Sequence, residues 1–138
     1  MKAFEEELLA GVRARHTLFT ERVVAENAAE AAATGQPQFP REAIEQFING
    51  FFLFVEEALQ GIGGDARAFY LSTAIPAMRD TGISAKLVIG GSAKTVIRMS
   101  VELAGAVSAE HRPDAERWLA EFFGDYLGDM AEVWSNHG

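Results

Sequence analysis

The stretch Arg41-Glu42-Ala43-Ile44-Glu45-Gln46-Phe47-Ile48-Asn49-Gly50-Phe51-Phe52-Leu53-Phe54-Val55-Glu56-Glu57-Ala58-Leu59-Gln60 decides the fold. Ile44, Phe47, Ile48, Phe51, Phe52, Val55 and Leu59 recur at steps of three and four, the spacing of one face of an α-helix. Leu53 and Phe54 fall outside that stripe, so the helix is apolar over most of its circumference. Such a helix belongs in the centre of a bundle, surrounded by other elements. Pro40 suits the first helical position and Gly61 the end, with Gly63 and Gly64 following.

Outward from this segment the same period continues. Toward the N-terminus, Phe4, Leu8, Val12, His16, Phe19 and Val23 form one stripe of a helix from about Ala3 to Thr34. Its last part, Asn27–Ala33, is alanine-rich. Gly35-Gln36-Pro37-Gln38-Phe39-Pro40 stops it and forms a loop. Toward the C-terminus, Asp65 suits the N-cap of a third helix that ends by Gly82. Pro76 lies inside it and should kink or divide it, because its ring clashes with the preceding turn. Ser84 suits the cap of a fourth helix running to about Ser108. That helix carries Gly90-Gly91 in its interior, at roughly 1 kcal/mol each relative to alanine. The expected reason is close helix approach or a bend. Arg112-Pro113-Asp114 opens a fifth helix with Leu119, Phe122, Phe123, Tyr126, Met130, Val133 and Trp134 as its stripe, and the last residues from Ser135 should fray. No alternating strand interrupts this series. The expectation is one all-α domain over residues 1–138, a bundle of about five long helices.

With 138 residues the chain is long enough for one core. Its composition, 49% hydrophobic and 23% charged, is that of a globular domain. No cysteine is present, which excludes disulfides, thiolate catalysis and Cys-ligated metals. Twelve basic against twenty acidic side chains give a formal charge of −8, which opposes contact with phosphate backbones, so no nucleic acid is expected. The N-terminus is acidic where a secretory signal is basic and then apolar, and the apolar run at Phe51–Val55 is far shorter than the ~20 residues of a span. A cytoplasmic setting without a membrane is expected.

Reactive motifs are missing. Arg13, Ser108 and Trp134 precede the three histidines by three residues, so no Glu-x-x-His pair exists for a di-iron bundle. His111-Arg112-Pro113-Asp114 has a metal-like spacing, but Asp114 suits the first turn of a helix, where its charge complements the dipole. In Gly90-Gly91-Ser92-Ala93-Lys94-Thr95, Ala93 precedes the lysine and Val88 holds the place of the first glycine, so no phosphate loop is present. No catalytic residue, metal or cofactor is expected. Glu56, Glu57 and Glu102 are acid–base candidates by residue type alone.

Binding residues are more promising. His16 sits on the apolar stripe, as a boundary histidine held by a carbonyl or water, or as a ligand or pH-sensing group facing a cavity. Phe47, Phe51, Phe54, Phe69 and Tyr70 are candidates to line an apolar pocket, although core packing is the commoner use of such side chains. Arg79, Lys86, Lys94 and Arg98 form the only basic concentration, read as a solvated face. Trp118, Phe122 and Tyr126 share a face of the fifth helix at steps of four, and aromatic anchors are enriched at interfaces, so a homodimer through the last helices is expected.

The segment Phe69-Tyr70-Leu71-Ser72-Thr73-Ala74-Ile75-Pro76-Ala77-Met78-Arg79-Asp80-Thr81-Gly82-Ile83-Ser84, followed by two long aromatic-bearing helices, resembles the N-terminal sensor domains of bacterial stressosome proteins, the RsbR-like non-haem globin group. The likeness is one of length, helix order and pattern over most of the chain. It implies a globin-like fold without haem, dimerisation through the last helices, and signal input in a stress response through an output domain or partner regulatory protein. Those sensors normally precede a second domain, whereas this chain stops at Gly138, as a cut-out domain or a free-standing relative. A haem-type globin is disfavoured, since no histidine lies between Phe69 and Glu110. The expected function is therefore non-enzymatic sensing or protein interaction, with binding of an apolar small molecule. The alternative is a helical carrier of a small molecule or chromophore.

Overall fold

Left-handed glycines and one proline cut the chain into rods. In the computed structural model, which describes residues 1–35 and 40–135, the elements are α1 (Ala3–Thr34), α2 (Arg41–Gln60), α3 (Asp65–Phe69), a π-helical turn (Tyr70–Ala74), α4 (Ile75–Asp80), α5 (Ala85–Ala106) and α6 (Arg112–Ser135). No strand occurs among the described residues. α3, the π turn and α4 keep right-handed helical dihedrals through Phe69, Tyr70, Ala74 and Ile75, so they form one rod and the bundle has five. The all-α bundle expected from the sequence is present. The expected loop at residues 36–39 and the end of the chain past Ser135 lie outside the described residues.

The rods close a ring. α1 packs on α2 and α5, α5 on α6, and the α3–α4 rod reaches α2 at one end and α6 along its length. The middle of the ring is filled by Leu8, Phe19, Ile48, Phe51, Met99 and Tyr126 with their neighbours, all essentially buried. α2 buries Ile44, Ile48, Phe51, Phe52, Phe54, Val55 and Leu59, as its pattern demands of a central helix, and leaves Leu53 44% exposed. Predicted stripe residues Leu8, Val12 and Phe19 of α1 and Leu119, Phe123, Tyr126 and Met130 of α6 are buried too.

The caps follow local chemistry. Gly35 and Gly61 end α1 and α2 with φ of 71° and 66°, donating their N–H groups back to Ala31 and Ala58. Pro40 stands at the N-cap of α2 rather than one residue inside it, and its carbonyl accepts from Ala43 and Ile44. Gly64, with φ 100°, takes the cap position expected of Asp65, which instead lies in the first turn of α3. Ser84 caps α5 as its sequence predicts, its hydroxyl accepting from the Leu87 N–H at 3.2 Å. α5 ends at Ala106, two residues before the expected Ser108.

Pro76 divides its rod as its ring requires. It has no N–H to give the carbonyl four residues back, and the chain widens ahead of it, with the Ile75 N–H reaching the Tyr70 carbonyl across a π turn.

The close helix approach is elsewhere than expected. A β-carbon on Gly90 or Gly91 would meet nothing within 4 Å, so neither admits a neighbouring helix. The contact occurs at Gly11, where a β-carbon would sit 2.9 Å from the Ala106 β-carbon. α1 and α5 meet there almost backbone to backbone. Farther along the same seam, Arg15 and Arg22 both hold Glu102, at 3.2 and 2.8 Å, and Arg98 pairs with Glu26.

Two substitutions separate these glycines. Gly11→Val should destabilise the fold by about 1–3 kcal/mol through overpacking, whereas Gly90→Ala should stabilise it by about 0.5–1 kcal/mol through helix propensity. Chemical denaturation of the three proteins checks both, and a Gly11→Val variant as stable as the parent rejects the close approach.

Candidate functional site

The last turns of α1, the first half of α2, Met78 and Ile83 on the α4 side, and the first half of α5 enclose a groove of about 330 Å³. Val23 of α1, Ile44, Phe47 and Ile48 of α2, Met78, and Leu87 and Val88 of α5 make its walls apolar. Glu26 and Glu30 lie on the α1 side, and Lys94 and Arg98 on the α5 side. The Glu26–Arg98 pair ties the two sides together. Ser92 is 2% exposed and lines the groove, and its hydroxyl has no hydrogen-bond partner among the described residues. Its neighbours in sequence explain its burial: Val88, Ser92, Val96, Met99 and Leu103 are the inward stripe of α5.

A second hollow, of about 230 Å³, lies at the corner between α2 and α3. Phe54, Glu57, Ile62, Arg67, Phe122 and the glycines of the turn line it. Arg67 lies 5.5 Å above both the Phe122 and Tyr126 rings and donates to Asp129 at 2.6 Å. One oxygen of Glu57 is sealed there without a partner.

The six candidate ligand residues are not brought to one cavity. His16 stacks on Phe52, with centroids 4.6 Å apart, and its Nε2 meets the Asn49 side-chain oxygen. It lines neither hollow, which matches a boundary histidine held by a carbonyl. Phe47 faces the first groove and Phe54 the second. Phe51 is buried and meets the Phe47, Phe54, Phe123 and Tyr126 rings at 5.5–6.5 Å. Tyr70 packs against Phe47, Phe54 and Tyr126. These rings fill the core instead of lining a shared pocket, and Phe69 points outward at 65% exposure. The hydroxyls of Tyr70 and Tyr126 are buried beside each other. Burial pushes Tyr70 up to about 12 and Tyr126 well above the ordinary tyrosine value.

The candidate interface residues also separate. Tyr126 is fully buried within its own chain, which removes it from any surface. Trp118 and Phe122 are half-buried and stack on each other at 5.1 Å. The basic concentration disperses in the same way. Arg79 turns to the Val133 carbonyl and Asp80, Arg98 is paired, and Lys86 and Lys94 make no ion pair among the described residues.

A polar cluster that the sequence reading missed joins the start of α1 to the α5–α6 corner. Glu7 accepts from Ser108 at 3.1 Å and meets His111 Nδ1 at 2.9 Å, with Ser108 Oγ 3.3 Å from the same nitrogen. Hydrolytic triads place the nucleophile and the carboxylate on opposite ring nitrogens. Here both meet Nδ1, so the cluster is a clamp between helix ends. Hydrogen bonding to Glu7 raises the His111 pKa, and the same bond lowers that of Glu7. Of the other carboxylate candidates, Glu56 pairs with Arg13, and Arg22 and Arg15 hold Glu102 below its ordinary value. Among the described residues no group of three His, Asp or Glu side chains is placed to hold a metal, and no helix is long and apolar enough to cross a membrane.

The clamp has a defined pH window. The raised His111 pKa stabilises the fold below about pH 6.5, and that contribution is lost as pH rises through the folded value. The lowered Glu7 pKa contributes above about pH 4.5 and is lost as pH falls through its folded value. The stability difference between the parent and Glu7→Gln should therefore be largest between these limits and shrink at alkaline pH. Thermal melts across the range check this, and a pH-independent difference rejects the clamp.

No family model matches this chain, and it has no match among the curated proteins or the solved structures compared with it.

Proposed function

We propose that this chain is a non-enzymatic sensing domain that binds an apolar small molecule in the groove between α1, α2 and α5. The observation that carries this reading is the groove itself: about 330 Å³, walled by aliphatic and aromatic side chains from three helices, at the lower end of the roughly 300–1,000 Å³ typical of small-molecule sites. The resemblance of residues 69–84 and the helices after them to stressosome sensor domains supports signal input in a bacterial, cytoplasmic setting, with a globin-like arrangement, and an output domain or partner protein as the receiver.

α5 gives such a sensor a route outward. Its inner face walls the groove, and its outer face shows Ile97 and Val101, 62% and 71% exposed and one turn apart. With half-buried Trp118 and Phe122 on α6, these residues support a homodimer through the last two helices. A ligand shifts such an interface only by the difference in its affinity for the two arrangements.

Gly91 supplies the test of the groove. It lines the cavity and a β-carbon there meets nothing within 4 Å, so Gly91→Leu adds a bulky side chain at the groove and also gains helix propensity. The parent should enhance the fluorescence of the small polarity-sensitive dye 4-(dimethylamino)benzonitrile, and Gly91→Leu should cut that enhancement several-fold while melting no lower. Equal enhancement by both proteins rejects the groove as the site.

For the dimer, light scattering at micromolar concentration should give twice the 15.0 kDa chain mass. The double substitution Ile97→Glu, Val101→Glu should return it to the single-chain value. A parent that is monomeric at all concentrations removes dimerisation from the proposal.

A further inference from the structure

We infer that the groove takes a neutral, mostly apolar molecule of about a dozen non-hydrogen atoms bearing one hydroxyl or carbonyl, which hydrogen-bonds Ser92. This rests on the groove being a binding site and names the chemistry of its occupant.

Four hydroxyls within these helices bond back to the backbone. Thr20, Thr34, Thr95 and Ser135 each donate to the carbonyl four residues earlier, at 2.8–2.9 Å, which is how a hydroxyl inside a helix is normally satisfied. Ser92 makes no such bond among the described residues, and its oxygen lies just beneath the groove wall, so a ligand reaches it once the side chain turns about its single rotatable bond. An unmade hydrogen bond in an apolar setting is costly, and a partner that enters the groove recovers it. The hydroxyl both donates and accepts, so a ligand hydroxyl or carbonyl satisfies it equally.

The charges argue for a neutral ligand. Glu26 and Glu30 face Lys94 and Arg98, so the formal charges lining the groove cancel. Glu30 and Lys94 are exposed, and so remain at the solvated rim. The other buried lining residues, Ile44, Ile48 and Val88, are apolar, with no charge to repay the desolvation of a carboxylate or ammonium. The size follows from volume. A liquid water occupies about 30 Å³, so the groove has room for roughly a dozen small heavy atoms.

Calorimetric titration with naphthalene, 1-naphthol, 1-naphthoate and 1-naphthylmethylamine at neutral pH tests the inference. The parent should bind 1-naphthol roughly two- to ten-fold tighter than naphthalene, and both charged analogues more weakly than 1-naphthol. In Ser92→Ala the naphthol advantage should vanish while naphthalene still binds. A thermal melt confirms that this variant folds, and removing an unpartnered buried hydroxyl should leave its midpoint unchanged or raised. Equal binding of naphthalene and naphthol by the parent overturns the inference, as does an advantage that survives Ser92→Ala. Preference for 1-naphthoate or for the amine also overturns it, and assigns the headgroup to Lys94 or Glu30 instead. If the dye binds but neither naphthalene nor naphthol does, the size and class are wrong while the groove stands. If the dye fails to bind as well, the groove reading itself has failed.

Discussion

The contact between Gly11 and Ala106 sets the position of α5 against α1, and much of the remaining structure follows from it. A side chain at either place larger than the one present would push the two helices apart. With hydrogen on one side and a methyl group on the other, the helices lie close enough for Arg15 and Arg22 to grip Glu102 from across the seam. The last tie along this seam, Glu26 to Arg98, stands at the groove, and Glu30 lines it without such a tie. The groove is thus bounded by the same ladder that locks the two helices together.

Opposite this seam the core is aromatic. Phe51, Phe54, Tyr70 and Tyr126 meet mostly edge to face or tilted, at 5.5–6.3 Å, arrangements that suit ring quadrupoles. Burial raises the pKa of both tyrosine hydroxyls there. Tyr70 also begins the π turn that Pro76 imposes on its rod, so one proline shapes the backbone beside the most crowded part of the interior. The sealed oxygen of Glu57, at the edge of the second hollow, belongs to the same end of the bundle.

The helices were legible because their signals are local. The all-round apolarity of α2, the serine before α5 and the proline within the third rod each act through the nearest turns. What the sequence hid depends on partners distant in the chain. Gly11 looked unremarkable beside Gly90-Gly91, yet it alone of the three touches another helix, because Ala106 is 95 positions away. Tyr126 shares a face with Trp118 and Phe122 by spacing, but a step of four drifts around the helix, and the last of the three turns inward. His16 and the phenylalanines looked like one pocket because residue type does not reveal which rings touch each other. Ser92 carried a readable signal, a lone hydroxyl on the valine stripe of α5. The neighbouring glycines and Lys94 mask it by imitating a phosphate loop.

The corner after α5 shows how the bundle shares its stability. The carbonyls of Ala104 and Val107, left open where α5 stops, accept from the guanidinium of Arg112, at 3.1 and 3.0 Å. That side chain belongs to the first residue of α6. α5 is therefore sealed by the helix that follows it, and neither end of this corner can fray alone. The wall of the groove and the helix behind it open and close as one cooperative unit, so amide protons around the Ala104–Arg112 corner should share a single opening free energy.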